Sequence, residues 1–165
     1  MNFTLIKNFD TPFANDIANI MIQQWGYNYR DGFKYKSIDE YKLWKKDTLV
    51  LIATTPATPA TLAGMIAYEE YNMADMARWS PCLCCLWVDP SIRQKGLGTE
   101  LLIRMTDICR ELPTPNPQNP RKDLYIWFLD PTLISFFEKA KWRYLIEWNY
   151  LNRKVHIMYR DLRND

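Results

Sequence analysis

The feature that most restricts the fold is a strand, loop and helix in the middle of the chain. Cys82-Leu83-Cys84-Cys85-Leu86-Trp87-Val88 is apolar on both faces of a pleat, which predicts a central strand covered on both sides. Asp89-Pro90 ends it, because proline has no N–H for the ladder. The loop Arg93-Gln94-Lys95-Gly96-Leu97-Gly98-Thr99 follows. Its two glycines tolerate positive φ and carry no Cβ, so a ligand can come close to the backbone. From Gly96 the spacing predicts a helix, with Leu97, Leu101, Leu102, Met105, Ile108, Cys109 and Leu112 on one face. The amides that open a helix lack intrahelical acceptors, and the helix dipole adds partial positive charge there. With Arg93 and Lys95 beside them, these groups predict a pyrophosphate site.

Two familiar phosphate signatures do not fit. A Walker A loop needs G-x-x-x-x-G-K-[ST], which Gly96-Leu97-Gly98-Thr99 does not supply. A dinucleotide fingerprint needs a third glycine where Leu101 stands. What remains is an [R/Q]-x-x-G-x-[G/A] loop after a strand ending Val-Asp-Pro.

Around this unit the chain alternates strands and helices. Phe3-Thr4-Leu5-Ile6 reads as a first strand, and Thr11-Pro12 as the start of a helix carrying Phe13, Ile17, Ile20, Met21 and Trp25 on one stripe. Ser37-Ile38-Asp39-Glu40 is a capping box opening a second helix through about Lys45, with Tyr41 and Trp44 as its apolar points. Strands are expected over 48–54 and 62–69, joined by a hairpin loop at Thr55-Pro56-Ala57-Thr58-Pro59-Ala60. Pro113 to Pro120 holds four prolines and reads as an exposed loop. Leu124 to Leu129, apolar on both faces, predicts a second central strand. Asp130-Pro131 then caps a short helix bearing Leu133, Ile134, Phe137 and Ala140, and strands near 142–148 and 154–159 close the chain. The order β-α-α-β-β-β-α-β-α-β-β predicts one α/β (α+β) domain over 1–165, with a mixed sheet and helices on its faces.

Composition narrows the function classes. At 165 residues, 48% hydrophobic and 24% charged, the chain has the make-up of a globular domain. A formal charge of +2 gives no sequence-wide case for nucleic acid or an anionic membrane. No apolar run approaches the roughly 20 residues of a membrane span. The N-terminal residues lack the pattern of a signal peptide, so the expected compartment is the cytosol. Cys82, Cys84, Cys85 and Cys109 contain no CxxC pair, and they read as buried hydrophobes without metal or disulfide.

With the loop defined, a resemblance becomes specific. The stretch from Leu86 to Leu102 resembles the acetyl-CoA-binding signature of the GNAT superfamily of N-acetyltransferases. Phe136-Phe137-Glu138-Lys139-Ala140-Lys141-Trp142 is similar to that family's second coenzyme-contacting element, usually F-Y-x-x-x-G-[F/W]. Tyr150 to Met158 is similar to the tail of many bacterial members, so the resemblance covers most of the chain, most strongly from about Trp79 onward.

The resemblance implies a mostly antiparallel sheet of six to seven strands whose central strands splay to admit coenzyme A. It implies that Leu86, Trp87 and Val88 pair with the pantetheine arm, and that an amide there polarises the thioester carbonyl. The amides from Gln94 through Lys95, Gly96, Leu97 and Gly98 to Thr99 would hold the pyrophosphate, with Arg93 opening the loop and Phe136 and Lys139 on the second element. The implied reaction is direct attack of a primary amine on acetyl-CoA, with no metal, and it needs a base and an acid. The family's tyrosine acid is replaced here by Phe137, and its glycine by Lys141. These two departures raise an alternative, a coenzyme-binding sensor with weakened catalysis. Candidate bases are Glu69 and Glu70, at the end of the preceding strand, and His156, the sole histidine and a residue type that titrates near neutrality. Tyr125 and Tyr144 are candidate replacement acids. Trp79, Tyr68 and Tyr71 could face a cationic acceptor or simply fill a core. Dimers are frequent in the family, so a homodimer belongs among the expected assemblies.

Overall fold

A computed structural model describes residues 1–25, 39, 47–70, 78–113, 123–150 and 152–163. Among them, seven strands form one sheet in the order β1-β2-β3-β4-β5-β7-β6. The strands are β1 (Asn2–Lys7), β2 (Leu49–Thr54), β3 (Leu62–Glu69), β4 (Cys82–Val88), β5 (Asp123–Phe128), β6 (Arg143–Tyr150) and β7 (Arg153–Asp161). The helices are α1 (Ala14–Trp25), α2 (Leu97–Glu111) and α3 (Ile134–Lys139). Strands β1–β2, β5–β7 and β6–β7 pair antiparallel, and β4–β5 pair parallel. The expected mixed sheet is therefore present. Apart from Asp39, the capping box at Ser37–Glu40 with its helix, and also Tyr71 and the prolines at 115, 117 and 120, lie outside the described residues.

The chain divides into two compact units. The first comprises 1–67 and 85–101, the second 68–84 and 102–165. In the first, β1 pairs with β2 along its whole length, from Asn2↔Thr54 to Lys7↔Leu49. The loop after β2 closes with Thr55 N–H to Thr61 C=O at 2.9 Å and Thr61 N–H to the Thr55 hydroxyl at 3.0 Å, as its prolines require. Thr11 accepts from the Phe13 N–H through its side-chain oxygen, and the regular helix then runs from Ala14, burying Ile17, Ala18 and Met21. Ile20 and Trp25, on the expected stripe, are half-buried.

In the second unit, Asp130-Pro131 turns the chain from strand to helix. Asp130 accepts from the Thr132 N–H at 2.9 Å and from its hydroxyl at 2.7 Å, closing a short 3-10 turn that leads into α3. Those bonds hold the Asp130 carboxyl below its usual range. The helix ends as a Schellman motif. Trp142 N–H bonds Phe137 C=O at 3.0 Å, and Lys141 N–H bonds Glu138 C=O at 2.9 Å. The accompanying hydrophobic contact is Trp142 against Phe137, ring centroids 6.3 Å apart. Arg160, itself buried, donates to Ala140 C=O at 3.1 Å and so satisfies another carbonyl at that end.

The left-handed position of that motif is Lys141, at φ 66°. The absent glycine is thus a local conformational cost and leaves the turn intact. Lys141→Gly is expected to stabilise the fold by about 0.5–1 kcal/mol, the relief of a left-handed side chain less the extra freedom of the unfolded chain. A melting-temperature gain of roughly 1–4 °C would follow for a domain this size. A drop in melting temperature would show that the Lys141 side chain, and not only its backbone, supports the turn.

Two expectations about coverage need correction. β4 is buried only at Cys82 and Leu83, and its last five residues, Cys84 to Val88, are half-buried. The physical reason is visible in the ladder, where the β4–β5 register holds Cys82↔Tyr125 and Leu83↔Ile126. The chain kinks directly afterwards, with Cys85 at φ 54°. A pattern apolar on both faces therefore did not mean full cover. β5 likewise alternates, Leu124 and Ile126 buried against half-buried Tyr125 and Trp127. In α2 the expected face holds, with Leu97, Leu101, Leu102, Met105 and Cys109 buried and Ile108 and Leu112 half-buried.

Candidate active site

The loop after β4 is shaped by three local devices. Asp89 accepts from the Ser91 hydroxyl at 2.6 Å and from its N–H at 2.8 Å, which keeps its carboxyl below the usual range, and the backbone turns through Pro90–Ile92. Arg93 folds its Nε–H back onto Val88 C=O at 3.0 Å, so it braces the loop against the strand it leaves. Gln94 and Gly96 then adopt positive φ, 62° and 86°. A Cβ on Gly96 would meet nothing within 4 Å, so the glycine is there for its backbone conformation and not for space.

The first α-helical bond of α2 is Glu100 N–H to Gly96 C=O at 3.0 Å. The amides of Leu97, Gly98 and Thr99 precede it and have no acceptor within the helix. Gln94, Lys95 and Gly96 are exposed, Gly98 and Thr99 half-buried, and Leu97 anchors the turn from the buried side. The strand feeding this turn is pulled tight against β3. Asp89 N–H bonds Ala63 C=O at 2.9 Å, and a Cβ on Gly64 would stand 3.1 Å from the Trp87 carbonyl oxygen. Leu86, Trp87 and Val88 are thereby fixed as half-buried residues. Such an arrangement can lay an extended ligand along the strand and set its phosphates on the helix amides.

The second element is in place but chemically different from expectation. Phe137 is buried, stacked on Phe128 at 4.9 Å, with Phe136 edge-on at 5.0 Å. A ring so enclosed contributes packing and no proton. Phe136 is half-buried and Lys139 exposed in the last turn of α3. The same aromatic cluster reaches His156, which pairs with Phe128 across β5–β7 and lies 5.9 Å from its ring. His156 is buried, and its Nδ1 lies 3.2 Å from the Tyr144 hydroxyl. Sequence reasoning named both residues separately; their meeting depends on the β6–β7 register, which shifts between Tyr144 and Ile146.

Of the other candidates, Glu69 ends β3 half-buried, and Glu70 accepts a hydrogen bond from the buried Tyr68 hydroxyl. Tyr125 is half-buried, and burial followed by the nearby Asp123 carboxylate pushes its phenol up. No disulfide joins the four cysteines; Cys82 and Cys109 are buried, Cys84 and Cys85 half-buried. Among the described residues no group of three or more His, Cys, Asp or Glu side chains is placed to hold a metal ion. None of their helices is long and apolar enough to cross a membrane.

A half-covered strand end feeding a turn of unpaired helix amides defines a class of protein that can bind an extended phosphorylated coenzyme through its backbone. Residues 14–116 match the model of the acetyltransferase (GNAT) family, and the chain belongs to that family of acyltransferases. Among solved structures it is similar to Salmonella typhimurium yncA, solved with its cofactor acetyl-CoA, at 15% identity and TM-score 0.65, covering 100% of this chain and 96% of that one. It is similar to a mutant form of the spermidine N-acetyltransferase SpeG from Vibrio cholerae at 14% identity and TM-score 0.69, covering 98% and 95%. The ribosomal-protein-alanine N-acetyltransferase of Brucella melitensis aligns at 13% identity and TM-score 0.65, covering 98% and 99%. At these identities the likeness is one of fold. No curated protein matches the chain.

Proposed function

We propose that this chain, as one domain, transfers the acetyl group of acetyl-CoA to a primary amine by direct attack. The observation that carries the reading is the half-covered apolar end of β4 running into a turn whose helix amides lack intrahelical acceptors. The solved yncA structure, which holds acetyl-CoA, supports the choice of donor. In this reading Leu86–Val88 align the pantetheine arm, the amides from Gln94 to Thr99 hold the pyrophosphate, and Phe136 and Lys139 flank the coenzyme. A homodimer belongs to the same proposal, supported by edge strand β6 with Tyr144, Leu145 and Ile146 exposed at 41%, 41% and 38%. A cytosolic setting suits four cysteines that form no disulfide.

Proton transfer must be arranged without a tyrosine at 137. We assign the exchange to the Tyr144–His156 pair, which adjoins Phe128 and through it Phe137. Glu69 and Glu70 remain the carboxylates proposed as base. His156→Gln and Tyr144→Phe are each expected to lower kcat by roughly 10²-fold, the usual contribution of a positioned acid or base. Because the two act as a unit, the double variant should lose little more than either single one. Coenzyme A should still raise the melting temperature of every variant. Full kcat in the double variant would remove the pair from the mechanism.

Buried Phe137 specifically favours a second reading, coenzyme binding without turnover. Thiol release across a panel of amines separates the two. Binding without release in any case would establish the second.

A further inference from the structure

Tyr68 and Tyr150 are buried, Tyr125 and Tyr159 half-buried, and Tyr144 alone among the described tyrosines is exposed. Its surroundings, all within the second unit, follow from the bulge in β6. Residues three apart in a regular strand point to opposite faces. The register shift between Tyr144 and Ile146 instead sets Tyr144 opposite Met158 and Glu147 opposite His156. Met158 and His156 are two apart on β7, so Tyr144, Glu147 and His156 share one face of the sheet.

On that face the imidazole is held in place. His156 is buried, with the Phe128 ring 5.9 Å away and the Tyr144 ring 6.1 Å away. Its Nδ1 lies 3.2 Å from the Tyr144 hydroxyl. With the ring proton on Nε2, Nδ1 accepts from that hydroxyl, which is the geometry of a nucleophile and its base. Glu147, the cross-strand neighbour of His156, pairs with Lys154 at 2.8 Å. Its carboxyl is held below the usual range, first by the Lys154 hydrogen bond and also by the facing imidazole. Positive charge forming on His156 therefore meets a carboxylate that is already ionised.

We propose that Tyr144 is a nucleophile in its own right, acylated by small activated esters from solution with His156 as its base. His156 Nδ1 takes the hydroxyl proton as the tyrosine oxygen bonds to the carbonyl carbon. The bond from that carbon to the leaving oxygen breaks, and the leaving group departs with the electron pair. Water then cleaves the tyrosine ester, again with His156 as base, releasing the carboxylic acid and restoring the hydroxyl. Such an ester forms only when the leaving group is a weaker base than the tyrosine oxygen, because otherwise the addition reverses. That condition selects activated aryl esters and excludes alkyl esters. The reaction uses neither coenzyme A nor an amine, so it stands or falls apart from the transferase reading.

The test treats the full-length chain with 4-nitrophenyl acetate, at high dilution so that pairing through β6 does not cover Tyr144. Nitrophenolate release is followed, and the acetyl label is mapped by peptide mass spectrometry. Tyr144 is expected to take the label roughly 10²-fold faster than Tyr159 in the same chain, the contribution of a positioned base. Tyr144→Phe should remove both the initial burst of nitrophenolate and the label. His156→Gln should slow labelling of Tyr144 to about the rate of Tyr159. Glu147→Gln should slow it several-fold, more at low salt than at high. Ethyl acetate should leave no label. Equal labelling of Tyr144 and Tyr159, or a rate at Tyr144 that His156→Gln leaves unchanged, would overturn the proposal. The comparison of the two tyrosines is made within the parent chain, so it decides the matter even if the His156 variant does not fold.

Discussion

Replacing Gly64 with valine is expected to destabilise the protein by about 2–3 kcal/mol, the upper part of the range for an overpacked core position. Valine is a better strand former than glycine, so propensity alone predicts the opposite sign. Space decides. An ideal Cβ at 64 would stand 2.9 Å from Leu101 Cδ1, 3.1 Å from Trp87 O and 3.3 Å from Leu97 Cδ2. The Leu101 methyl is the end of a flexible side chain and can yield, but the Trp87 oxygen is backbone. Valine adds two methyls to a site already too close for one carbon. The strain falls on β4 at Trp87 and on the first turn of α2, the two elements that frame the proposed coenzyme site. Denaturant unfolding should therefore show a lowered midpoint, and the melting-temperature gain from coenzyme A should shrink with it. Gly64→Ala should sit between glycine and valine. A valine variant as stable as the parent would mean that β3 and β4 are not so tightly apposed.

What could be read from sequence was what depends on local backbone chemistry. The turn at Arg93–Thr99 was legible because glycines, a preceding Asp-Pro and a following amphipathic stripe each act over a few residues. The same holds for the Asp130 turn and for most strand bounds, which moved by only a residue or two. Long-range contact was not legible. The pattern from Cys82 to Val88 gave the strand but could not show that its cover stops after Leu83, since that depends on where β5 ceases to pair. Lys141 looked like a departure that weakened the second element, yet the Schellman bonds form around it at φ 66°. Phe137 is the reverse case. Its identity was plain, but its burial among Phe128, Phe136 and Trp142 shows a packing role that no spacing rule announces. The meeting of Tyr144 with His156 left no trace in either local stretch.

Gly98→Trp is expected to abolish coenzyme A binding while leaving the fold in place. Gly98 lies in the first turn of α2, half-buried, between the amides of Leu97 and Thr99 that the proposed pyrophosphate would approach. An indole there would cover those amides with carbon and exclude the phosphates sterically. Helix propensity runs the other way, because glycine is the poorer helix former by several tenths of a kcal/mol. Loss of binding could then not be attributed to a melted helix. For the parent protein, coenzyme at a hundred times its dissociation constant should add about 2.7 kcal/mol of stability by mass action. For a domain of this size that is a gain of roughly 5–10 °C. The variant should show none, and its melting temperature without ligand should stay within a few degrees of the parent's. Lys95→Ala supplies the graded comparison. It removes one exposed charge and leaves the amides free, so it should weaken binding only several-fold, more at low salt than at high. An undiminished thermal shift in the tryptophan variant would place the phosphates somewhere other than the start of α2, and the proposed donor site would fall with it.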